Sequence, residues 1–153
     1  MRFRNVLRRT IIPSLALIGG LGFTAPSSAE DNLFTRADSL CLYETLLKSG
    51  RSYSINQDYD LALDSFNTAQ NLGERLGVSR LELSFIHASL ADIHYTQRDK
   101  KEQLEEAEKA YKLMPFNLIN LNNLAFALAL NNTGLERALS LSTQAADTFQ
   151  DNP

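Results

Sequence analysis

From about Asp31 to Phe149 apolar side chains recur three or four residues apart, with short polar or glycine- and proline-marked breaks between the runs. That spacing lays one apolar stripe along a helix and predicts an all-α chain. Asp31 or Thr35 caps a first helix that runs to about Ile55, before the polar turn Asn56-Gln57-Asp58. The second is expected over Tyr59 to Leu76, with Gly77 supplying a left-handed stop. Ser79 or Ser84 opens the third, which ends near Gln97. Asp99 with Glu102 three residues on has capping-box spacing, and the fourth helix runs to Met114, where Pro115 breaks it. A fifth is expected from about Asn117 to Leu130, and a sixth from about Leu135 to Phe149 after Asn131-Asn132-Thr133-Gly134.

A repeat runs through these six elements. Gly50, Tyr53, Ala62, Phe66 and Ala69 stand at intervals of 3, 9, 4 and 3. Ala91, His94, Gln103, Ala107 and Ala110 repeat those intervals, and Pro115 follows five residues later. Ala125, Leu128, Ala138, Ser142 and Ala145 do so again with one extra residue in the middle gap. The intervals of 3 and 4 mark one helix face, and the gap of 9 or 10 spans a turn, so each copy is a helix pair. Small residues recur where two helices approach closely.

This pattern resembles the tetratricopeptide repeat (TPR), a helix–turn–helix unit of about 34 residues. The clearest stretches are Asp58-Tyr59-Asp60-Leu61-Ala62-Leu63 and Leu121-Asn122-Asn123-Leu124-Ala125. The resemblance implies an α-solenoid of about three units, near 43–76, 84–117 and 118–151, within a domain over residues 30–153. The chain departs from the family pattern in several places. It has no Trp, Gln103 and Ser142 replace an expected Ala and an expected aromatic, and only the second copy keeps its proline. The copies are offset by 41 and 34 residues, and the additional seven, about Gly77 to Leu83, are expected to lengthen the adjoining helices.

Residues 1–29 read differently. Arg2, Arg4, Arg8 and Arg9 precede an apolar run from Ile11 to Phe23, then Ala25-Pro26-Ser27-Ser28-Ala29. A basic start, a short apolar core and small residues before a cut describe a secretory signal peptide, cleaved after Ala29. The run is too short, and too interrupted by Pro13 and Gly19-Gly20, to span a bilayer. No integral membrane span is therefore expected after cleavage. Arg8-Arg9 leaves the export route open between the general secretory and twin-arginine systems. The expected location is the periplasm or exterior of a bacterium.

Cleavage removes four of the 15 basic residues and none of the 18 acidic ones, leaving a formal charge of −7 on residues 30–153. Such a surface repels phosphate backbones, and nucleic acid is not an expected partner. Cys41 is the only cysteine, so no intramolecular disulfide forms, and it is expected to behave as a small buried hydrophobe.

Candidate chemistry is sparse. His87 and His94 are seven apart on one face of the third helix and are assigned to packing rather than to a metal. The run Lys100-Lys101-Glu102 and Glu105-Glu106-Glu108-Lys109 reads as a solvated face, with Glu105 paired to Lys109. No nucleophile elbow, phosphate loop or acid/base carboxylate pair occurs, so neither catalysis nor a cofactor is expected.

What the resemblance leaves is a surface, because the first helices of successive TPR units line a concave groove. Carried over position by position, that groove holds Glu44, Leu47, Lys48 and Arg51, then Phe85, Ala88, Ser89, Asp92 and Tyr95, then Ile119, Asn122, Asn123 and Phe126. Arg51, Phe85, Asp92, Asn122, Asn123 and Phe126 are the expected partner contacts. Leu47, Ser89 and Ile119 stand where a clamp for a C-terminal carboxylate needs polar or basic groups, which disfavours that mode. The implied role is a non-catalytic protein-binding module. The rival is a structural subunit, or a piece of a longer repeat protein, held by self-association.

Overall fold

The computed structural model describes the backbone of residues 29–150 and the side chains of residues 36–147. Expectations for residues 1–28, including the signal peptide, lie outside the described residues. The chain divides into two units, Met1–Thr35 and Arg36–Pro153, and the description below concerns the second. Six helices and no strand are present among the described residues: α1 Ala29–Ile55, α2 Tyr59–Leu76, α3 Arg80–Thr96, α4 Lys100–Leu113, α5 Leu118–Leu130 and α6 Leu135–Gln150.

Local chemistry accounts for the ends. Gly77 closes α2 at φ 68°, and its N–H reaches the Glu74 carbonyl. Ser79 opens α3 with a full capping box, its hydroxyl accepting from the Glu82 N–H while the Glu82 carboxylate accepts from the Ser79 N–H. At α4 only half of that device forms, since Asp99 accepts from the Glu102 N–H. Asn117 caps α5 by accepting from the Ile119 and Asn120 N–H groups.

Three turns share one backbone path. Gln57, Arg98 and Asn132 all sit in the left-handed region, at φ 63°, 63° and 52°. The residue after each donates its N–H to Tyr53, His94 and Leu128 respectively, at 2.9–3.1 Å. These three acceptors occupy the same position of the repeat. The structural period therefore follows the sequence period, offsets of 41 and 34 included.

Each of α2 to α5 packs on the next helix, and α3 also touches α5. Helix α1 joins α2 through Tyr43 and Gly50. A Cβ built at Gly50 meets the buried Phe66 ring at 3.0 Å, so the close approach needs glycine there. One core cluster gathers Tyr43, Ala62, Phe66, Ala69, Ile86, Leu90 and Ile93. A second gathers Ala91, Ala107, Leu121, Leu124, Ala125, Ala127, Leu128, Ala138 and Leu141. Helix α3 supplies residues to both. Ala62, Phe66, Ala107 and Ala110 are at most 1% exposed, whereas Ser142, in an expected aromatic slot, is exposed.

Three expectations are corrected. Cys41 is exposed. Glu106 is buried rather than part of a solvated face. Lys109 pairs with Glu106 at 2.6 Å, not with Glu105, which pairs instead with Lys101 at 3.4 Å. Both pairings lie within helical reach, and the burial of Glu106 decides between them, because a buried carboxylate must find donors.

Candidate functional site

The α1–α3–α5 face carries two cavities. The larger, about 390 Å³, is bounded by Arg51 and Ile55 of α1, Tyr59 and Phe66 of α2, and Phe85, Ser89, Asp92 and Thr96 of α3. The smaller, about 200 Å³, is lined by Ala91, Asp92 and Tyr95 of α3, Gln103 of α4, and Asn122, Asn123 and Phe126 of α5. Asp92 borders both. Helical spacing explains the grouping, since Phe85, Ser89 and Asp92, then Tyr95, advance by four, three and three along α3 and share one face.

Two aromatic contacts organise this face. The Arg51 guanidinium lies over the Phe85 ring, 4.7 Å from its centroid. Tyr95 and Phe126 meet edge to face, with centroids 5.2 Å apart and planes at 79°. All four are exposed, the three rings at 45–48%. Phe116 is more exposed, at 81%, but it borders neither cavity, so what sets these rings apart is their grouping beside the cavities.

Asp92 has no ion-pair partner among the described residues. Desolvation alone raises its carboxyl above the ordinary range, because neighbouring side chains displace water and no cation compensates. Gln103 is 4% exposed, and its Oε1 is buried without a hydrogen-bond partner. The repeat pattern marks Gln103 only as a replacement for alanine; a polar residue at a packed position was the available signal of a site.

The structure thus brings Arg51, Phe85 and Asp92 to the larger cavity, and Asp92, Asn122, Asn123 and Phe126 to the smaller. Tyr95 and Ser89 join them. Ala88 does not, being 8% exposed and packed inward, and Leu47 lies against the first core cluster. Ile119 is exposed but borders neither cavity.

A buried ionic cluster centres on His87. Its Nδ1 is 2.6 Å from Glu106 Oε2, with both side chains under 10% exposed, and Lys109 Nζ donates to Glu106 Oε1. Burial acts to raise the Glu106 carboxyl, but the hydrogen bonds from His87 and Lys109 outweigh it and hold the group below its usual range. No group of three or more His, Cys, Asp or Glu able to hold a metal occurs among the described residues. No described helix is long and apolar enough to cross a membrane. Comparison with protein-family models finds no match, and no curated protein matches the chain significantly.

Proposed function

We propose that residues 30–153 form a three-unit TPR stack and act as a non-catalytic protein-binding module of the bacterial envelope, exported through the signal peptide of residues 1–29. Its partner is an extended protein segment laid along the α1–α3–α5 face. One observation carries this reading: a cation–π contact, Arg51–Phe85, and a ring pair, Tyr95–Phe126, lie solvent-exposed beside adjoining cavities that share Asp92. Rings and amides combined in this way suit a peptide, whose side chains fill the cavities while Asn122 and Asn123 meet its backbone. The repeated turn geometry supports the unit-by-unit architecture.

The test begins with affinity capture from envelope extract and continues with titration of variants against the captured partner. Phe85→Ala, Asn123→Ala and Phe126→Ala are each expected to weaken binding by about 1–3 kcal/mol. Asp64→Ala, on the exposed side of α2, should leave it unchanged. Glu108 is a poor control, because its carboxylate is held by Arg137. The competing reading is assembly through self-association. It gains if the protein captures only itself and the groove variants do not disturb that contact.

A further inference from the structure

We infer that the smaller cavity is a receptor for a guanidinium group, so that the partner segment presents an arginine between Asp92 and the Tyr95–Phe126 ring pair. The inference rests on the binding-module reading and names what the module selects.

Three independent observations converge on one chemistry. First, the wall carries a carboxylate with no ion-pair partner among the described residues, and although Asp92 is exposed, partial desolvation by its neighbours disfavours the charge it holds. An incoming cation removes that penalty. Second, Gln103 contributes a buried Oε1 with no donor. A cavity holding an unmatched carboxylate and an unmatched carbonyl calls for a ligand rich in N–H groups, and the guanidinium carries five in a planar fork. Asn122 and Asn123 add two amide carbonyls at the rim. Third, Tyr95 and Phe126 supply aromatic surface, on which a planar, weakly hydrated cation stacks better than a compact ammonium.

The protein already holds one such contact next door. Arg51 rests on Phe85 in the larger cavity and forms no ion pair with Asp92, so this face accommodates a guanidinium on a ring while Asp92 stays available. The net charge of −7 on residues 30–153 draws a cationic segment in from a distance.

The test uses blocked pentapeptides, Ala-Ala-X-Ala-Ala, with X as arginine, citrulline, lysine or glutamate, titrated into the purified ¹⁵N-labelled protein. The arginine peptide is expected to bind saturably, shifting the Asp92, Asn122 and Asn123 amides and the Gln103 side-chain NH₂. Citrulline keeps the shape and loses the charge, and should bind about tenfold more weakly or worse. Glutamate should not bind. Asp92→Asn should weaken the arginine peptide by about tenfold, and Gln103→Met by a smaller factor.

Equal binding of citrulline and arginine overturns the proposal in the unaltered protein, whether or not any variant folds. Lysine binding as tightly as arginine overturns the assignment to a guanidinium. If the arginine peptide fails while Phe126→Ala still weakens a captured partner, only this inference falls. If the peptide binds as expected but no partner is captured, it is the module reading that falls.

Discussion

Asn120 of α5 donates from Nδ2 to Ser84 Oγ of α3 at 2.7 Å, and the same nitrogen reaches the Ala110 and Met114 carbonyls at 3.0 and 3.1 Å. At 2% exposure, this amide ties α3, the end of α4 and the start of α5 together. Its removal takes these three bonds away at once, although the Ala110 and Met114 carbonyls keep the N–H groups of Met114 and Asn117. Asn120→Ala is expected to destabilise the fold by about 1–3 kcal/mol, read from urea unfolding. A midpoint unchanged from wild type would show that the bonds contribute nothing net.

The small residues of the repeat set the helix spacing. Ala62 is fully buried and Ala138 is 6% exposed. Replacing either with leucine inserts volume where helices touch, at a cost of about 1–3 kcal/mol. Leucine should be the better-tolerated change at exposed Ala129, on the same helix as the core residue Ala127. Thermal unfolding of the three variants checks the register.

Stability should fall on the acid side through Glu106. Its folded-state carboxyl is held below the ordinary 4.5 by His87 and Lys109 despite the opposing effect of burial. The resulting stabilisation is fully present above that ordinary value and disappears as pH drops through the lower, folded value. Glu106→Gln should therefore melt below wild type at neutral pH, with the gap closing in acid. A gap that is constant with pH would remove the carboxylate from the explanation.

Metal should make no difference. His87 and His94 are separated by about 10.5 Å of helical rise, too far to share an ion. Lys109 also sits on the carboxylate nearest His87. Melting temperatures in EDTA and in zinc are expected to coincide, and a clear upward shift in zinc would contradict the packing assignment.

The mature chain should begin at Glu30, because Ser27 and Ala29 are small residues at the cleavage positions. Intact mass of the exported protein reads this directly. A retained Met1 would exclude it.

Helix ends were legible where one residue decides them. Gly77, Ser79, Asn117 and Pro115 each act through their own backbone or a hydroxyl or amide two or three residues away. The face shared by Phe85, Asp92, Asn122, Asn123 and Phe126 was expected from the repeat register that the resemblance supplies, since helical period orders residues within α3 or within α5 but not between them. Burial of Glu106 was not, because a charged run with favourable spacing looks solvated until the neighbouring helix brings His87 against it. The left-handed Gln57, Arg98 and Asn132 escaped notice because none is glycine. Their shared position in the repeat was the only clue. Gln103 was visible as an exception to the alanine pattern, but its missing partner is a three-dimensional fact.

Helix α3 belongs to both core clusters, and this makes the unfolding hierarchy asymmetric. Opening of α6 strips Ala138 and Leu141 from one cluster and leaves the other whole, so such fluctuations need only part of the global free energy. Detachment of α3 takes Ile86, Leu90 and Ile93 from one cluster and Ala91 from the other. Amide exchange in α3 is therefore expected to be slower than in α6. On that expectation, the helix that carries Phe85, Asp92 and Tyr95 outlasts openings of α6, and a partner meets a surface whose backbone stays ordered through them.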